Sequence, residues 1–251
     1  MPQSYAIEIA TSIDAIDAAQ WDACANPPPI EPGCAEAAVD GERFNPFVTH
    51  AFLKALETSK SVSPRCGWAS AHVLVKDASG RLAAAAPAYV KSHSMGEYVF
   101  DFGWAEAYQR AGLDYYPKLQ VAVPFTPVTG RRLLIAPGQG EAARDALIAG
   151  LRALRKKIGA SSIHVTFPTK AEWDALGSAG FLRRTAQQFH FINKGYADFE
   201  AFLDDLASRK RKMIRRERKE ALAGGVEIEL LTGSDLKEAH WDAFFDFYTE
   251  T

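Results

Sequence analysis

The sequence predicts a mixed α/β fold in which a mostly antiparallel sheet is flanked by helices. Strand-like runs in the first half are joined by a short turn, as in antiparallel hairpins. Later strand-like runs are separated by amphipathic helical stretches, and a block dense in Lys and Arg follows them. With 251 residues, 47% of them hydrophobic, the chain is long enough for a sizeable core in one large domain or two small ones.

The N-terminal part predicts a strand, a helix and a loop. Residues 5–11 alternate apolar and polar side chains, which is typical of a strand. Ser12 or Asp14 can cap a helix that runs through Trp21. The Pro-rich stretch 26–40 then predicts a long loop.

The next part of the chain predicts a helix and a hairpin. Residues 45–59 have the apolar spacing of a helix. Residues 68–77 and 81–92 are strand-like runs separated by a three-residue turn that ends in glycine. An aromatic strand at 98–102 and a helix at 104–111 are expected to follow.

The second half of the chain alternates predicted strands with predicted helices. The expected strands are residues 118–125, 131–138, 161–168, 182–193 and 226–230. The expected helices among them are residues 140–159 and 170–179, together with the basic segment described next.

Residues 209–219 form the most unusual stretch of the sequence. They carry eight Lys or Arg and one Glu, a local charge of +7, while the whole chain is −2 and the remainder therefore −9. No Gly or Pro interrupts the segment, so it predicts a long helix that begins with the apolar residues 199–206 and ends at Gly224. The helix face is either solvated and salt-bridged, or it binds an anionic partner such as a phosphate-bearing substrate or a nucleic acid.

Composition and patterning exclude several classes of protein. The first residues lack the basic and apolar regions of a signal peptide, and no apolar run approaches the ~20 residues of a membrane span. Cys24, Cys34 and Cys66 have neither disulfide-framework nor zinc-site spacing, and no set of residues has metal-ligand spacing. We therefore expect a soluble, cytoplasmic protein without a metal.

The C-terminal residues predict an aromatic helix. Trp241, Phe244, Phe245 and Tyr248 recur at helical spacing, and large aromatic side chains need a surface to bury against. We expect the chain to be a fragment of a longer protein, and we expect this helix to promote self-association.

Two carboxylates stand out as candidates for acid–base chemistry. Glu97 and Asp101 lie on the same face of the expected strand at 98–102 and its flank, beside Tyr98, Phe100, Phe102, Trp104 and Tyr108. A carboxylate in apolar surroundings has a raised pKa and can accept a proton near neutral pH. The alternative is a solvated carboxylate face.

Three further places in the sequence are candidates for binding. Tyr115, Tyr116 and Lys118 lie where a loop meets a strand, which favours either substrate contacts or aromatic packing at a sheet edge. Gly138 and Gly140 lie in a turn between strand and helix, where backbone N–H groups can hold a pyrophosphate or simply form a turn. His164 and His190, inside strand-like patterns, are interpreted as structural residues.

The sequence resembles the FemAB-like branch of the GNAT acyltransferase superfamily, whose members are described as peptidoglycan biosynthesis/recognition proteins. The resemblance extends over residues 44–221 and is carried by these stretches: NPFVTHAFLKALE, SHSMGEYVFDFGWAEAY, GLDYYPKLQVAVPFTPVTGRRLL, SSIHVTFP, QFHFINKGYADFEAFL and SRKRKMIRRERKEA. It implies two GNAT-like folds in tandem. The first would occupy residues 1–197, a basic linking helix residues 198–224, and the start of a second, truncated fold residues 225–251.

The resemblance also implies chemistry. Fem-type proteins move amino acids from aminoacyl-tRNA to a peptidoglycan precursor, and other GNAT proteins move an acyl group from coenzyme A to an amine. Gly138 and Gly140 match the glycines of the coenzyme pattern, so acetyl-CoA or another acyl-CoA is the expected cofactor. Ile135 departs from the pattern, because it stands where Gln or Arg is expected.

In either reaction an amine attacks an activated carbonyl, which requires a base and a donor for the oxyanion. By hypothesis Glu97 or Asp101 is the base, and Tyr115 or Tyr116 is the donor. The cations expected to hold phosphate groups are Lys118, Arg211, Arg215 and Arg216. Two other readings stay open: a non-catalytic module that recognises tRNA or a cell-wall precursor through the basic helix, and a structural half-domain whose basic helix pairs with acidic residues elsewhere.

Overall fold

The computed structural model describes residues 4–26, 44–187 and 189–250. It divides into two compact units, the first ending at Arg184 and the second beginning at Thr185. The Pro-rich stretch after Asn26, with Cys34, lies outside the described residues, so the loop predicted there stays a prediction.

The first unit contains two four-stranded sheets. The first sheet is entirely antiparallel, in the order β1 (Ala6–Ala10), β3 (His72–Lys76), β4 (Leu82–Ala86) and β7 (Leu134–Ile135). The second has the order β2 (Trp68–Ser70), β5 (Ala88–Lys91), β6 (Lys118–Val121) and β8 (Ile163–Val165). Only the β6–β8 pair is parallel among these strands, which confirms the expected mixed α/β fold with mostly antiparallel pairing.

The helices of the first unit are α1 (Ala18–Ala25), α2 (His50–Thr58), α3 (Phe102–Arg110), α4 (Gly140–Lys157) and α5 (Lys170–Ser178). Those of the second unit are α6 (Phe199–Asp204), α7 (Ser208–Leu222) and α8 (Glu238–Glu250). In the described part of the chain, no helix combines the length and the hydrophobicity that crossing a membrane requires.

The predicted hairpin forms, but each of its two strands is divided between the sheets. β3 and β4 pair through a turn in which the Asp77 carboxylate accepts hydrogen bonds from the N–H groups of Ser79 and Arg81. The runs then break at Ala71 and Pro87, beyond which β2 pairs with β5 in the second sheet. Proline has no N–H to offer a ladder, so the chain changes sheets where the pairing is weakest.

Small side chains on β4 allow helices to pack on both faces of the first sheet. Ala84 and Ala86 belong to the cluster that contains Leu147 and Leu151 of α4. Ala85, which points to the opposite face, belongs to the cluster around Trp21 of α1. β4 is therefore buried between these two hydrophobic clusters, whereas β1 at the edge of the same sheet is mostly exposed.

Several predicted elements differ from the observed ones. The helix expected from Ser12 or Asp14 is a single 3-10 turn, and α1 begins later, capped by the Asp17 carboxylate. The strand expected at 98–102 is wrong because Tyr98 has a φ of +56°, which extended pairing does not allow. The expected strands after residue 117 are two to four residues long where they form.

The strands expected at 182–193 and 226–230 are also wrong. None of the described residues in either segment is paired with another strand. Alternating side chains show only that a segment is compatible with a sheet, whereas a strand also requires a neighbour to hydrogen-bond with.

In the second unit, the basic segment is a helix of its own rather than the end of a longer one. The apolar residues before it form α6, and α7 starts at Ser208 after a break. Arg218 lies over the ring of Phe199 of α6, with its guanidinium carbon 4.3 Å from the ring centroid. The aromatic side chains of α8 are exposed, at 55% for Trp241 and 74% for Tyr248.

We expect Leu147→Ala to lower the free energy of unfolding by about 2–5 kcal/mol, because it leaves a cavity under α4 where the wild-type side chain is fully buried. Urea unfolding followed by circular dichroism measures the change. Lys156→Ala on the exposed side of the same helix is the control, with an expected change within about 0.5 kcal/mol. Equal effects of the two substitutions would contradict the packing described above.

Candidate active site

Two buried lysines lie opposite each other in the second sheet. In the register of the strands, Lys91 of β5 stands between Trp68 of β2 and Lys118 of β6. Both lysine side chains are fully buried, and two ammonium groups in such positions repel each other. The site must therefore contain compensating negative charge.

Glu97 and Asp101 supply that charge. The Lys118 ammonium donates hydrogen bonds to Glu97 Oε2 at 2.8 Å, to Asp101 Oδ2 at 2.6 Å and to Ser94 Oγ at 2.7 Å. The side chains of the two carboxylates are each about 1% exposed. The two lysines and two carboxylates, called the buried quartet below, sum to zero charge when all four are ionised.

Two tyrosines extend the quartet towards the surface. The Tyr115 hydroxyl donates to Asp101 Oδ2 at 2.7 Å, and the Tyr116 hydroxyl lies 2.7 Å from Ser94 Oγ. Ser94 also donates to Asp101 Oδ2 at 3.0 Å. Because Ser94 accepts from Lys118 and donates to Asp101, the Tyr116 hydroxyl is left to donate to Ser94. A continuous hydrogen-bond chain thus joins Tyr116 to the quartet.

The segment between β5 and α3 turns back on itself to bring both carboxylates to Lys118. Gly96 makes this turn possible, with a φ of +78° and a position where an added Cβ would lie 2.5 Å from the ring of Phe125. Asp101 immediately precedes α3. The aromatics expected to surround the carboxylates are mostly elsewhere, since Tyr98 and Phe100 are exposed.

The two carboxylates differ in their affinity for a proton. Burial raises the pKa of Glu97, and the attraction of Lys118 only partly offsets this effect. Burial acts in the same direction on Asp101, but hydrogen bonds from Lys118, Tyr115 and Ser94 outweigh it and lower the pKa of Asp101. Glu97 Oε1 and Asp101 Oδ1 both lack a hydrogen-bond partner within the described structure, so the difference lies in the second oxygen: Oε2 of Glu97 accepts one hydrogen bond, and Oδ2 of Asp101 accepts three. Glu97 is therefore the better proton acceptor of the two.

Tyr115 and His164 have fixed roles beside the quartet. Burial, together with its hydrogen bond to Asp101, raises the pKa of Tyr115, so its hydroxyl stays protonated. Burial and the charge of Lys118 lower the pKa of His164 to about 4. His164 is thus neutral near pH 7, and its Nε2 lies 2.8 Å from Ser162 Oγ. His190, the other histidine singled out in the sequence, is exposed in the second unit.

An open groove of about 450 Å³ lies next to the quartet. Tyr115 and Tyr116 form one part of its lining, and α3 forms another. The α3 residues of the lining are Phe102, Ala105, Glu106 and Gln109, and Leu113 and Asp114 complete it. The lining includes two carboxylates and no Lys or Arg, so the groove favours a positively charged guest.

The glycines of the expected coenzyme site lie at the other sheet. Gly138 and Gly140 have φ values of +78° and +60° and connect β7 to α4, as the sequence predicts. An added Cβ at either position would meet no atom within 4 Å, so the turn is open on that side. The N-terminus of α4 lacks a side-chain cap and carries Glu141 in its first turn. That negative charge weakens the attraction for an anion.

The expected phosphate-binding cations are already engaged. Lys118 has no exposed surface, and its three hydrogen bonds leave no donor for a phosphate. Arg211 pairs with Asp204 at 2.9 Å, Arg215 pairs with Glu200, and Arg216 lies 3.5 Å from Glu220. A phosphate would have to displace these carboxylates, although exposed ion pairs of this kind are weak.

Comparison with known proteins identifies the family. A model of FemAB_like proteins, described as peptidoglycan biosynthesis/recognition, matches residues 12–251. The chain belongs to the FemAB-like family. No curated protein matches this FemAB-like chain.

Two solved structures resemble the FemAB-like chain at low identity. An acetyltransferase of Trypanosoma brucei is 10% identical, with a TM-score of 0.38, and the alignment covers 75% of this chain and 100% of that one. A ribosomal-protein-alanine N-acetyltransferase of Brucella melitensis biovar Abortus 2308 is 12% identical, with a TM-score of 0.38, and covers 76% and 99%. Family membership rests on the match to the family model.

Sequence reasoning missed three parts of the site in the FemAB-like chain: Lys91, Ser94 and the groove lined by Glu106 and Asp114. Lys91 had a detectable signal, because the hairpin places it in a strand whose other residues are apolar. Ser94 and the groove had none, since each depends on how the segment after β5 folds back. Among the described residues, no group of His, Cys, Asp and Glu has the arrangement of a metal site.

We expect Lys118→Met to destabilise the protein by about 3–5 kcal/mol near neutral pH, because two buried carboxylates lose the ammonium between them. Without it, burial raises both carboxyl pKa values above those of the unfolded chain. Stability that depends on protonated carboxyls is present at low pH and is lost as the pH rises. The deficit relative to wild type should therefore grow from pH ~4 to pH ~8.

Urea unfolding of both proteins at several pH values measures this trend. Lys156→Met removes a lysine from the exposed side of α4 and should leave the stability unchanged at every pH. A Lys118→Met deficit that is independent of pH would show that the carboxylates do not depend on Lys118 for their charge.

Proposed function

We propose that this FemAB-like protein is an acyltransferase that moves an acyl group onto an amine bound in the groove beside α3. The observation that carries the proposal is the hydrogen-bond chain from Tyr116, in the groove lining, through Ser94 to the buried quartet. Such a chain gives a reacting group at the surface access to a proton acceptor that water does not reach.

The charge of the groove fits an amine acceptor. Glu106 and Asp114 are both exposed in its lining, and none of the described residues that line the groove is a Lys or Arg. Phe102 and Tyr116 add aromatic surface, and aromatic faces attract cations. An acceptor that arrives as an ammonium ion is thus attracted to the groove before it loses a proton.

The proton of the ammonium ion follows the hydrogen-bond chain. The Tyr116 oxygen accepts it while the Tyr116 hydroxyl passes its own proton to Ser94, and Ser94 passes one to Asp101. The Lys118 ammonium releases a proton to Glu97 Oε2, 2.8 Å away, and the neutral Nζ then takes up the proton from Asp101 Oδ2, 2.6 Å away. One proton has entered at Tyr116 and one has come to rest on Glu97, whose burial favours the protonated form.

The neutral amine then attacks the acyl carbonyl. A C–N bond forms, and the bond from the carbonyl carbon to the leaving sulfur of a thioester, or the leaving oxygen of an aminoacyl ester, breaks. The leaving atom takes the second proton of the amine. Asp101 passes a proton on in this scheme, and its hydrogen bonds also hold Tyr115, Ser94 and Lys118 in place.

The identities that we propose for the acyl donor and the amine acceptor are based on the family and not on the geometry of the site. We propose a peptidoglycan precursor with a free amine as the acceptor, in line with the description of the family. For the donor, we propose acetyl-CoA or another acyl-CoA, and aminoacyl-tRNA as the second candidate. The open turn at Gly138 and Gly140 supports the coenzyme, while Ile135 and Glu141 do not.

We expect Glu97→Gln and Tyr116→Phe each to lower kcat by a factor on the order of 10² or more, because each interrupts the route of the proton. The assay incubates the protein with acetyl-CoA or with aminoacyl-tRNA and a panel of amines that includes a nucleotide-linked peptidoglycan precursor. Release of free thiol or of deacylated tRNA measures transfer.

Two controls accompany this experiment. Tyr98→Phe removes an exposed hydroxyl from the same segment, and Glu8→Gln removes an exposed carboxylate from β1, and neither should change kcat. Circular dichroism confirms that all variants fold. Folded Glu97→Gln and Tyr116→Phe proteins with full activity would refute the proposed route.

The recognition of a polyanion is a second candidate function, favoured by the surface of α7. Arg209, Lys210, Lys212 and Lys219 are cations of this helix for which the described structure contains no ion pair. Among the described residues, Glu200 and Asp204 form ion pairs with Arg211 and Arg215. In this proposal α7 is the basic linking helix of a tandem of GNAT-like folds, and it binds tRNA through phosphate contacts.

We expect tRNA binding through α7 to weaken log-linearly with salt, because bound cations release counterions. Lys210→Ala combined with Lys212→Ala should reduce the slope of log K against log salt by roughly 1–2. The matched control is Lys156→Ala combined with Lys157→Ala, two exposed lysines at the end of α4. Equal slopes for the two double variants would exclude α7 as the binding surface.

A further inference from the structure

Lys91 is the one member of the buried quartet to which the proposed reaction assigns no role. Its ammonium donates to the Met95 carbonyl at 3.1 Å and lies 3.4 Å from the centroid of the Trp68 ring. The nearest carboxylate oxygen is Glu97 Oε1, at 4.0 Å. The one carboxylate near the Lys91 ammonium, that of Glu97, also pairs with Lys118. Keeping Lys91 charged in this buried position costs free energy, and the cost disappears when Lys91 loses its proton.

The carboxylate of Glu97 connects the two lysines. Its Oε2 accepts a hydrogen bond from Lys118, while its Oε1 faces Lys91 and has no hydrogen-bond partner in the described residues. A proton added to the quartet can therefore reside at Oε1 or on Lys91, two positions 4.0 Å apart that interact through their charges rather than through a hydrogen bond.

We propose that Lys91 is a positioning residue of the acyl-transfer reaction: its charge is coupled to that of Glu97, and it thereby sets how readily the quartet accepts the proton that the acceptor amine releases. The inference rests on the proposed function for its catalytic part. The coupling of the two charges is a property of the folded protein, and it is argued from the burial of both side chains and the 4.0 Å between Lys91 Nζ and Glu97 Oε1.

The charge balance of the quartet supports this role. With Lys91 protonated the four groups sum to zero, and with Lys91 neutral they sum to −1. A buried site with a charge of −1 becomes neutral when it takes up a proton, which is the change that the reaction requires. The state with neutral Lys91 is therefore the one prepared to receive the proton.

The surroundings make this state accessible near neutral pH. Burial lowers the pKa of Lys91 to about 7, an effect that Lys118 reinforces and Glu97 opposes. The ring of Trp68 and the Met95 carbonyl favour the charged form. The other charged or titratable groups near it are His93, whose pKa is lowered by burial and by Lys91, and Asp101 beyond Lys118.

The first test follows Lys91 directly in the folded protein. A protein labelled with ¹³C at the lysine side chains is titrated by NMR, and Lys91→Met assigns the Lys91 signal by its absence. We expect Lys91 to titrate near pH 7. Glu97→Gln should lower the pKa of Lys91 further, because the Glu97 carboxylate favours the charged form of Lys91 and the variant lacks it. An ordinary lysine titration near pH ~10.4, or a titration unchanged by Glu97→Gln, would overturn the proposal.

The second test follows the reaction. The positive charge of Lys91 lowers the pKa of Glu97, so removing that charge lets Glu97 keep its proton to higher pH. Lys91→Met should therefore shift the acid limb of the kcat–pH profile to higher pH by about one pH unit or more. Lys91→Arg keeps a positive charge, so the acid limb of its kcat–pH profile should lie at the wild-type pH or at a lower pH. Lys156→Met is the control with no expected effect.

The two tests separate this inference from the proposed function. Coupled titration of Lys91 and Glu97 without any detectable transfer would refute the acyltransferase proposal and leave the coupling of the two charges standing. Transfer activity with identical pH profiles for wild type, Lys91→Met and Lys91→Arg would refute the role of Lys91 and leave the acyltransferase proposal standing.

Discussion

The contact between the Lys118 ammonium and its two carboxylates is the constraint on which the rest of the site depends. Buried charges are tolerated only when they are paired and hydrogen-bonded, so the partners have to arrive together. Glu97 and Asp101 come from the turn after β5, and Asp101 immediately precedes α3. The same contact therefore fixes the course of that turn, the start of α3 and the groove that α3 lines.

The division of the hairpin between two sheets explains where the site lies. The alanines of β4 bury one sheet between helices, and the break at Pro87 transfers the chain to the second sheet. There Trp68, Lys91 and Lys118 stand side by side across three strands. The first sheet supplies hydrophobic core, and the second brings the polar side chains together at one end of its two central strands, β5 and β6, next to the groove.

The sequence predicts those parts of the fold that depend on local pattern. β1, the β3–β4 turn, α4 and the basic α7 follow from periodicity and turn chemistry. The same reasoning selected Glu97, Asp101, Tyr115, Tyr116 and Lys118, and the structure brings all five together. It missed Lys91 and Ser94, whose place in the site depends on residues that are distant along the chain. It also assigned strands at 182–193 and 226–230, because whether a segment forms a strand depends on a pairing partner elsewhere in the chain.

The neutrality of the quartet has an evolutionary consequence. A substitution that removes one charged member leaves the others with an imbalance in a place that solvent cannot reach. Viable lineages therefore change positions 91, 97, 101 and 118 jointly, through compensated replacements or through loss of the entire set. In an alignment of relatives these four columns should covary as one block, while exposed cations such as those of α7 drift independently.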